Sequence, residues 1–342
     1  MGSTDVDSHN KICIIRRMKT IFLLIFLLLL DCGLSPEARA KSILEKGLAD
    51  KSPLVRINAA VELGGEHALR VLTDLLQSED VDIVAATLDA AIGKILLPES
   101  LVIVACMNSS PSVREAAYRI VAAREDIDAK ELLLQSVQDD FAGVRVVAYE
   151  GLVRFKEREV LQQGLRDPDV RVRIAVAEAL GEMGMTDMAD YIEQELKKAT
   201  PDIVGSGIIA MAQVGDSALI PAFRKLLDEG TEDLRVDAAE ALLILDDLTG
   251  VGVLRKSLQS NDPFVRIHAA EVLTRYDVPE TYNQLAAATQ DRFVNVAVQA
   301  VRALAQHDAH NQKKLFTELM NAQNSLLRVI AAGAYLRGQH GT

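Results

Sequence analysis

Apolar residues recur along this chain at helical spacing, in blocks that copy one another. Ser52-Pro53-Leu54-Val55-Arg56-Ile57-Asn58-Ala59-Ala60 returns as Ser110-Pro111-Ser112-Val113-Arg114-Glu115-Ala116-Ala117. It returns again as Asp262-Pro263-Phe264-Val265-Arg266-Ile267-His268-Ala269-Ala270. A shorter copy, Asp167-Pro168-Asp169-Val170-Arg171, runs on to Arg173, and weaker ones centre on Val144-Arg145, Leu234-Arg235 and Leu327-Arg328. The arginine serves as a marker, with Ala85, Gly205 and Ala297 standing where it is lost. The copies then fall at 56, 85, 114, 145, 173, 205, 235, 266, 297 and 328. Ten copies spaced 28 to 32 residues apart are the mark of a repeat array.

Each copy spells out a helix. Ser or Asp caps the start by accepting from free N–H groups, and proline at the first position loses no hydrogen bond. Three places after the marker stand Ala59, Ala117, Ala148, Ala238, Ala269, Ala300 and Ala331, small enough for a neighbouring helix to approach closely. Seven places on, Leu63, Ile92, Leu152, Leu180, Leu242, Leu273 and Leu304 continue the same stripe. Gly64, Gly93 and Gly181 follow as expected terminators. Shorter amphipathic segments such as Leu69–Leu76 and Phe223–Leu227 lie between these helices. One pair of about 30 residues is too small to be stable alone, so burial must come from stacking on neighbours. The expected fold is all-α: one α-α superhelix, or solenoid, of about ten helix pairs over residues 41–342.

The D/S-P-x-V-R-x-x-A-A segments and their Leu-rich partners resemble the HEAT-like repeats, in the short form named after phycobilisome lyases. The resemblance covers residues 42–337. It implies that the Val-Arg helices line a concave face and that each arginine reaches an acid near the adjacent turn. Arg56, Arg114, Arg145, Arg173, Arg235, Arg266 and Arg328 would then form a ladder holding the repeats in register. Asp139, Asp167, Asp233 and Asp262 are the partners it suggests for Arg114, Arg145, Arg173 and Arg235. The group includes lyases, hydroxylases and plain scaffolds, so fold alone does not assign function. Its hydroxylases carry repeated His-Glu pairs for two irons. His-Glu occurs nowhere here, and Glu66-His67 is reversed and single.

Composition narrows the partners. The formal net charge is −12, which argues against nucleic acid, since a binder of phosphate needs a basic face. Aromatic residues make up 4% and Trp is absent, so the apolar mass is aliphatic, which suits close packing of short helices. The first forty residues differ in kind. Lys11, Arg16, Arg17 and Lys19 precede the apolar run Ile21–Leu30, and Ala38-Arg39-Ala40 follows. Basic head, short apolar run and A-x-A site read as a secretory signal peptide over residues 1–40, with Lys41 as the mature N-terminus. Retention as an anchor and lipid attachment at Cys32 are the alternatives, and the membrane enters only through this segment. Cleavage leaves a net charge of −13 and Cys106 as the only cysteine.

Candidate sites are few. Glu150, Glu178, Glu240 and Glu271 recur five places after the marker, turned away from the Ala/Leu stripe. They form either a strip that recruits a basic partner or a plain solvated face. His307 and His310 have the spacing of metal ligands, but too few companions for a complete site. Cys106 lies in an apolar stretch where a thiol is inert packing. Gly205-Ser206-Gly207 and Gly250-Val251-Gly252 lack the flanking sequence of phosphate loops. No catalytic residue, metal or cofactor is expected. The reading is a scaffold for another protein, working through an extended concave surface in the bacterial periplasm or envelope. The alternative is a lyase-type enzyme, or a subunit of one, acting on a chromophore or partner. The repeat at 200–230, with Gly205 for its marker and Gly207 beside it, should be the softest joint.

Overall fold

The computed structural model describes residues 34–215 and 217–339. The basic head, the apolar run and Cys32 lie outside the described residues. The described residues are 73% helical and contain no strand, and their helices form an outer and an inner series. Ten outer helices are α1 (Pro36–Gly47), α3 (Gly65–Leu75), α5 (Glu99–Cys106), α7 (Ala129–Ser136), α9 (Arg158–Gly164), α11 (Met188–Leu196), α13 (Ile220–Glu229), α15 (Val251–Ser257), α17 (Tyr282–Ala288) and α19 (Lys313–Leu319). Ten inner helices carry the markers: α2 (Pro53–Leu63), α4 (Val81–Ala91), α6 (Pro111–Ala123), α8 (Ala142–Leu152), α10 (Val170–Glu182), α12 (Pro201–Gln213), α14 (Glu232–Ile244), α16 (Pro263–Arg275), α18 (Val294–His307) and α20 (Ser325–Arg337).

The stripe read from the sequence is the core. Ala59, Ala117, Ala148, Ala238, Ala269, Ala300 and Ala331 are all fully buried, as are Leu152, Leu180, Leu242 and Leu304. Each inner helix packs on the inner helices before and after it, and the series continues from α20 to α2. Helix α1 packs on both α20 and α2, as α3, α7, α9, α11 and α15 pack between their inner neighbours. The superhelix therefore closes on itself as a ring, and the expected concave surface is its lumen. Small residues permit the closure: a Cβ on Gly47 would stand 2.7 Å from Cβ of Ala59 and 3.0 Å from Val329. Ala40 and Leu44 are fully buried at this seam. Arg39 reaches Asn321 across it, Arg337 donates to Glu62 at 3.1 Å, and Arg302 donates to Asn58 at 2.9 Å. An open array leaves two apolar end faces that need capping; here each end buries the other.

Two local readings change. Gly64 and Gly93 end their helices in the left-handed region (φ 67° each), but Gly181 lies inside α10. A Cβ there would sit 2.8 Å from Val214, so this glycine serves packing, and Gly184 (φ 79°) takes the turn. In the Asp167-Pro168-Asp169 copy, the cap is Asp169, which accepts from the Arg171 N–H at 2.9 Å, and Pro168 lies outside the helix. The boundary at Ala40 falls within α1, whose cap is Ser35, accepting from the Ala38 N–H at 3.2 Å. No described helix is long and apolar enough to cross a membrane.

Candidate functional site

Two surfaces of the ring carry chemistry: the rim where the chain passes from outer to inner helix, and the lumen. On the rim each marker arginine first secures its own turn. Arg114, Arg145, Arg173 and Arg266 donate to the carbonyl six residues back at 2.7–2.9 Å, as do Arg56 and Arg328 at 2.8 Å. Four of them also reach the next repeat. Arg114 holds Asp139 through two bonds of 2.8 Å, Arg145 holds Asp167 likewise, Arg266 holds Asp291 at 2.7 and 3.0 Å, and Arg173 holds Glu195 at 2.5 Å. The partners Asp139 and Asp167 are as the resemblance implied.

Asp233 and Asp262 are not ladder acids. Asp262 caps its own helix by accepting from the Phe264 N–H at 2.8 Å. Arg235 donates to the Asp228 carbonyl at 2.8 Å and its Nε is buried without a partner. The operative rule is positional: Asp139, Asp167 and Asp291 each stand six residues before a marker. Each also accepts the N–H two residues on, at 2.8–2.9 Å, so one carboxylate shapes its own turn and ties down the preceding arginine. Burial raises the Asp139 and Asp291 carboxyls, but the arginine and this N–H outweigh it and hold both below the usual range. The offset of six was visible in the sequence beside the marker.

The lumen collects the position five after the marker. Val61, Ala90, Glu271 and Arg302 share that offset and line one cavity. By the same register Arg119, Glu150, Glu178 and Glu240 face inward. Closure of the ring is the reason, since the face opposite the core points at its centre. Glu240 is buried and held by Arg275 through two bonds of 2.7 Å, which removes it from any partner surface. Glu271 accepts from Gln299 at 3.0 Å.

Glu150 and Glu178 remain as an acidic arc. Glu150 touches water, yet protein surrounds it, and poor solvation with Glu115 and Glu182 nearby pushes its carboxyl up against the pull of Arg119. Burial, then Glu150 and Glu182, push Glu178 up to about 7. Arg119 is already engaged, by Asp89 at 2.7 Å and by Glu115. On α14, Asp237 lies 3.3 Å from His268 and covers Gly205, where a Cβ would stand 2.3 Å from its carboxylate. Gly207 likewise makes room for Leu196, and α12 is unbroken through both glycines.

The other candidates have local roles. His307 Nε2 lies 3.0 Å from the Thr274 carbonyl, and Asp308 accepts from Asn311 and Gln312 at 2.6 Å each. Among the described residues no three His, Cys, Asp or Glu stand together to share a metal ion. Cys106 is buried, and burial pushes its thiol up to about 12, far from a nucleophilic thiolate.

The profile for HEAT repeats matches residues 138–212 and 158–244. No curated protein matches the chain in sequence. Among solved structures, the CpcE–CpcF complex of phycocyanin lyase from Nostoc sp. PCC7120 is 19% identical. That match covers 71% of this chain and 96% of that one, with a TM-score of 0.44. Human deoxyhypusine hydroxylase is 17% identical, with coverage of 90% and 98% and a TM-score of 0.36. Marker-bearing inner helices, outer partners, the arginine ladder and the profile match agree: the chain is a HEAT-like repeat protein.

Proposed function

We propose that the protein is an exported, non-catalytic scaffold of the bacterial envelope, and that its ladder rim docks another protein. The observation that supports this is where large apolar side chains are left in water. Of the ten large apolar side chains left exposed among the described residues, five, Leu54, Val81, Phe141, Phe264 and Phe293, are 47%, 42%, 38%, 76% and 41% exposed. All five lie at or just before the start of an inner helix, within four residues of a marker, and so on one rim. Aromatic and aliphatic groups gathered on one face favour protein contact, because burying them against a partner contributes about 25 cal/mol per Å² of apolar surface removed from water. The closed lumen offers no open groove for a partner to lie in, which leaves the rims and the outer wall. With the ladder arginines occupied by their own turns, the rim gains affinity from the apolar groups and specificity from the carboxylates around them.

A photo-cross-linking side chain at Phe264 or Phe141, in cells with an intact envelope, tests the rim. Cross-links to a defined protein at these positions and none at Val104 on the outer wall are expected. Cross-links from Val104 alone would place the interface elsewhere. Export with cleavage after Ala40 predicts Lys41 as the N-terminus of protein from its own host. Such a cut removes the Ser35 cap and the first turn of α1, with the seam contacts of Arg39 and Ala40, while leaving Leu44 and Gly47 in the seam. An intact chain through residues 12–40 on cytoplasmic protein would refute export.

A further inference from the structure

The lumen holds a cavity of about 630 Å³ at the seam, walled by α2 and α4 on one side and by α16 and α18 on the other. That volume suits a small organic molecule. Its walls differ in character. Leu54, Ile57, Val61 and Ile92 make one side apolar, and Lys94 and Arg302 bring positive charge to the other parts of the lining.

These two cations stand apart from the other charges of the ring. Arg302 donates to two neutral oxygens, Asn58 Oδ1 at 2.9 Å and Gln299 Oε1 at 3.4 Å. Among the described residues neither Arg302 nor Lys94 has a carboxylate at ion-pair distance. The nearby acids are committed: Glu62 to Arg337 at 3.1 Å, Glu271 to Gln299 at 3.0 Å, and Asp89 to Arg119 at 2.7 Å. Burial lowers the proton affinity of both Lys94 and Arg302, Glu62 opposes this, and Arg337 adds to it. Lys94 stands exposed at its turn and Arg302 is half-buried; a partly desolvated cation without a counter-ion is costly, and a bound anion relieves that cost. Asn58 is itself anchored, donating to the Leu54 carbonyl at 2.7 Å, so Arg302 is held in place before any ligand arrives.

We propose that the seam cavity binds a small organic monoanion, its carboxylate between Lys94 and Arg302 and its short apolar chain along Leu54, Val61 and Ile92. Glu271 in the same lining selects against multiply charged anions. Because the walls come from the first two repeats and from the eighth and ninth of ten, the ligand bridges the two ends of the array across the seam and fastens the ring. Binding to the closed form alone slows seam opening by the factor 1 + [L]/Kd, roughly a hundredfold at a ligand concentration of 100 Kd.

The full chain titrated with octanoate by calorimetry, and followed by amide hydrogen exchange, tests this. Inorganic phosphate and octylamine are the comparison probes. One octanoate should bind per chain, with slower exchange in α1 and α20, while phosphate and octylamine bind at least tenfold more weakly. Arg302→Met, which keeps the apolar stem, and Lys94→Met, at an exposed turn, should each weaken octanoate at least tenfold with the circular dichroism unchanged. Phosphate binding as tightly as octanoate overturns the apolar half of the site, and octylamine binding as tightly overturns the cationic half. Octanoate binding equally to wild type and to either folded variant, or not binding the wild type, overturns the proposal. None of these readouts depends on a partner docking at the rim.

Discussion

Leu44→Ala tests the closure of the ring directly. Leu44 is fully buried on α1, which is wedged between α20 and α2, so its loss removes apolar contact from one joint. Truncating a buried leucine costs about 2–5 kcal/mol, the transfer term plus the cavity left behind. In a ring that cost falls on seam opening, since the other joints keep their own contacts. At about 1.4 kcal/mol per decade, even the low end multiplies the open fraction by roughly thirty. Amide hydrogen exchange resolves this by peptide. Amides of α1 and of α20, nearly the whole sequence away, should exchange about thirtyfold faster or more, while those of α10 change little. Faster exchange in α1 with α20 unchanged would show that α1 frays as the end of an open array. A uniform rise that includes α10 would show that the ring opens only by global unfolding. Either result refutes the reasoning.

The ladder predicts unequal costs for the same substitution. Arg145→Met leaves the nearly buried Asp167 without its cation and should cost about 2–3 kcal/mol, between the values for exposed and buried pairs. Arg56→Met loses only bonds to the Asp50 and Lys51 carbonyls and should cost about 1 kcal/mol; equal losses in urea unfolding would deny that Asp167 matters. Glu178→Gln should change the pH profile of stability. A carboxyl raised from 4.5 to about 7 binds more protons folded than unfolded, so its contribution falls as pH rises between those values. The variant should raise Tm at pH 8 and leave it nearly unchanged at pH 4.5, and an identical shift at both would exclude this titration. Amides of 203–212 should exchange faster than those of 173–182, because the repeat lacks a marker arginine. Equal protection would mean that the close packing of Gly207 on Leu196 compensates in full.

Much of this protein was legible from residues close together in the chain. Marker, alanine and leucine offsets defined the inner helices and their buried stripe, because a helix and its nearest joint are specified within about thirty residues. Asp139 and Asp167 were found as ladder acids for the same reason, whereas Asp233 and Asp262 were misassigned because proximity to a turn says less than the offset of six. Gly181 looked like a terminator because its partner, Val214, lies in a later repeat. Ring closure was beyond such reading. It is the sum of ten small rotations, and no single repeat reveals whether the sum completes a turn. Arg337 and Glu62 are 275 residues apart, and Arg302 and Asn58 are 244 apart, so only the closed structure brings them together. Closure also decided what the glutamates are. The residues that the helical offset turned away from the core face the lumen, where Glu240 is neutralised by Arg275 and Glu178 is held by burial near neutrality.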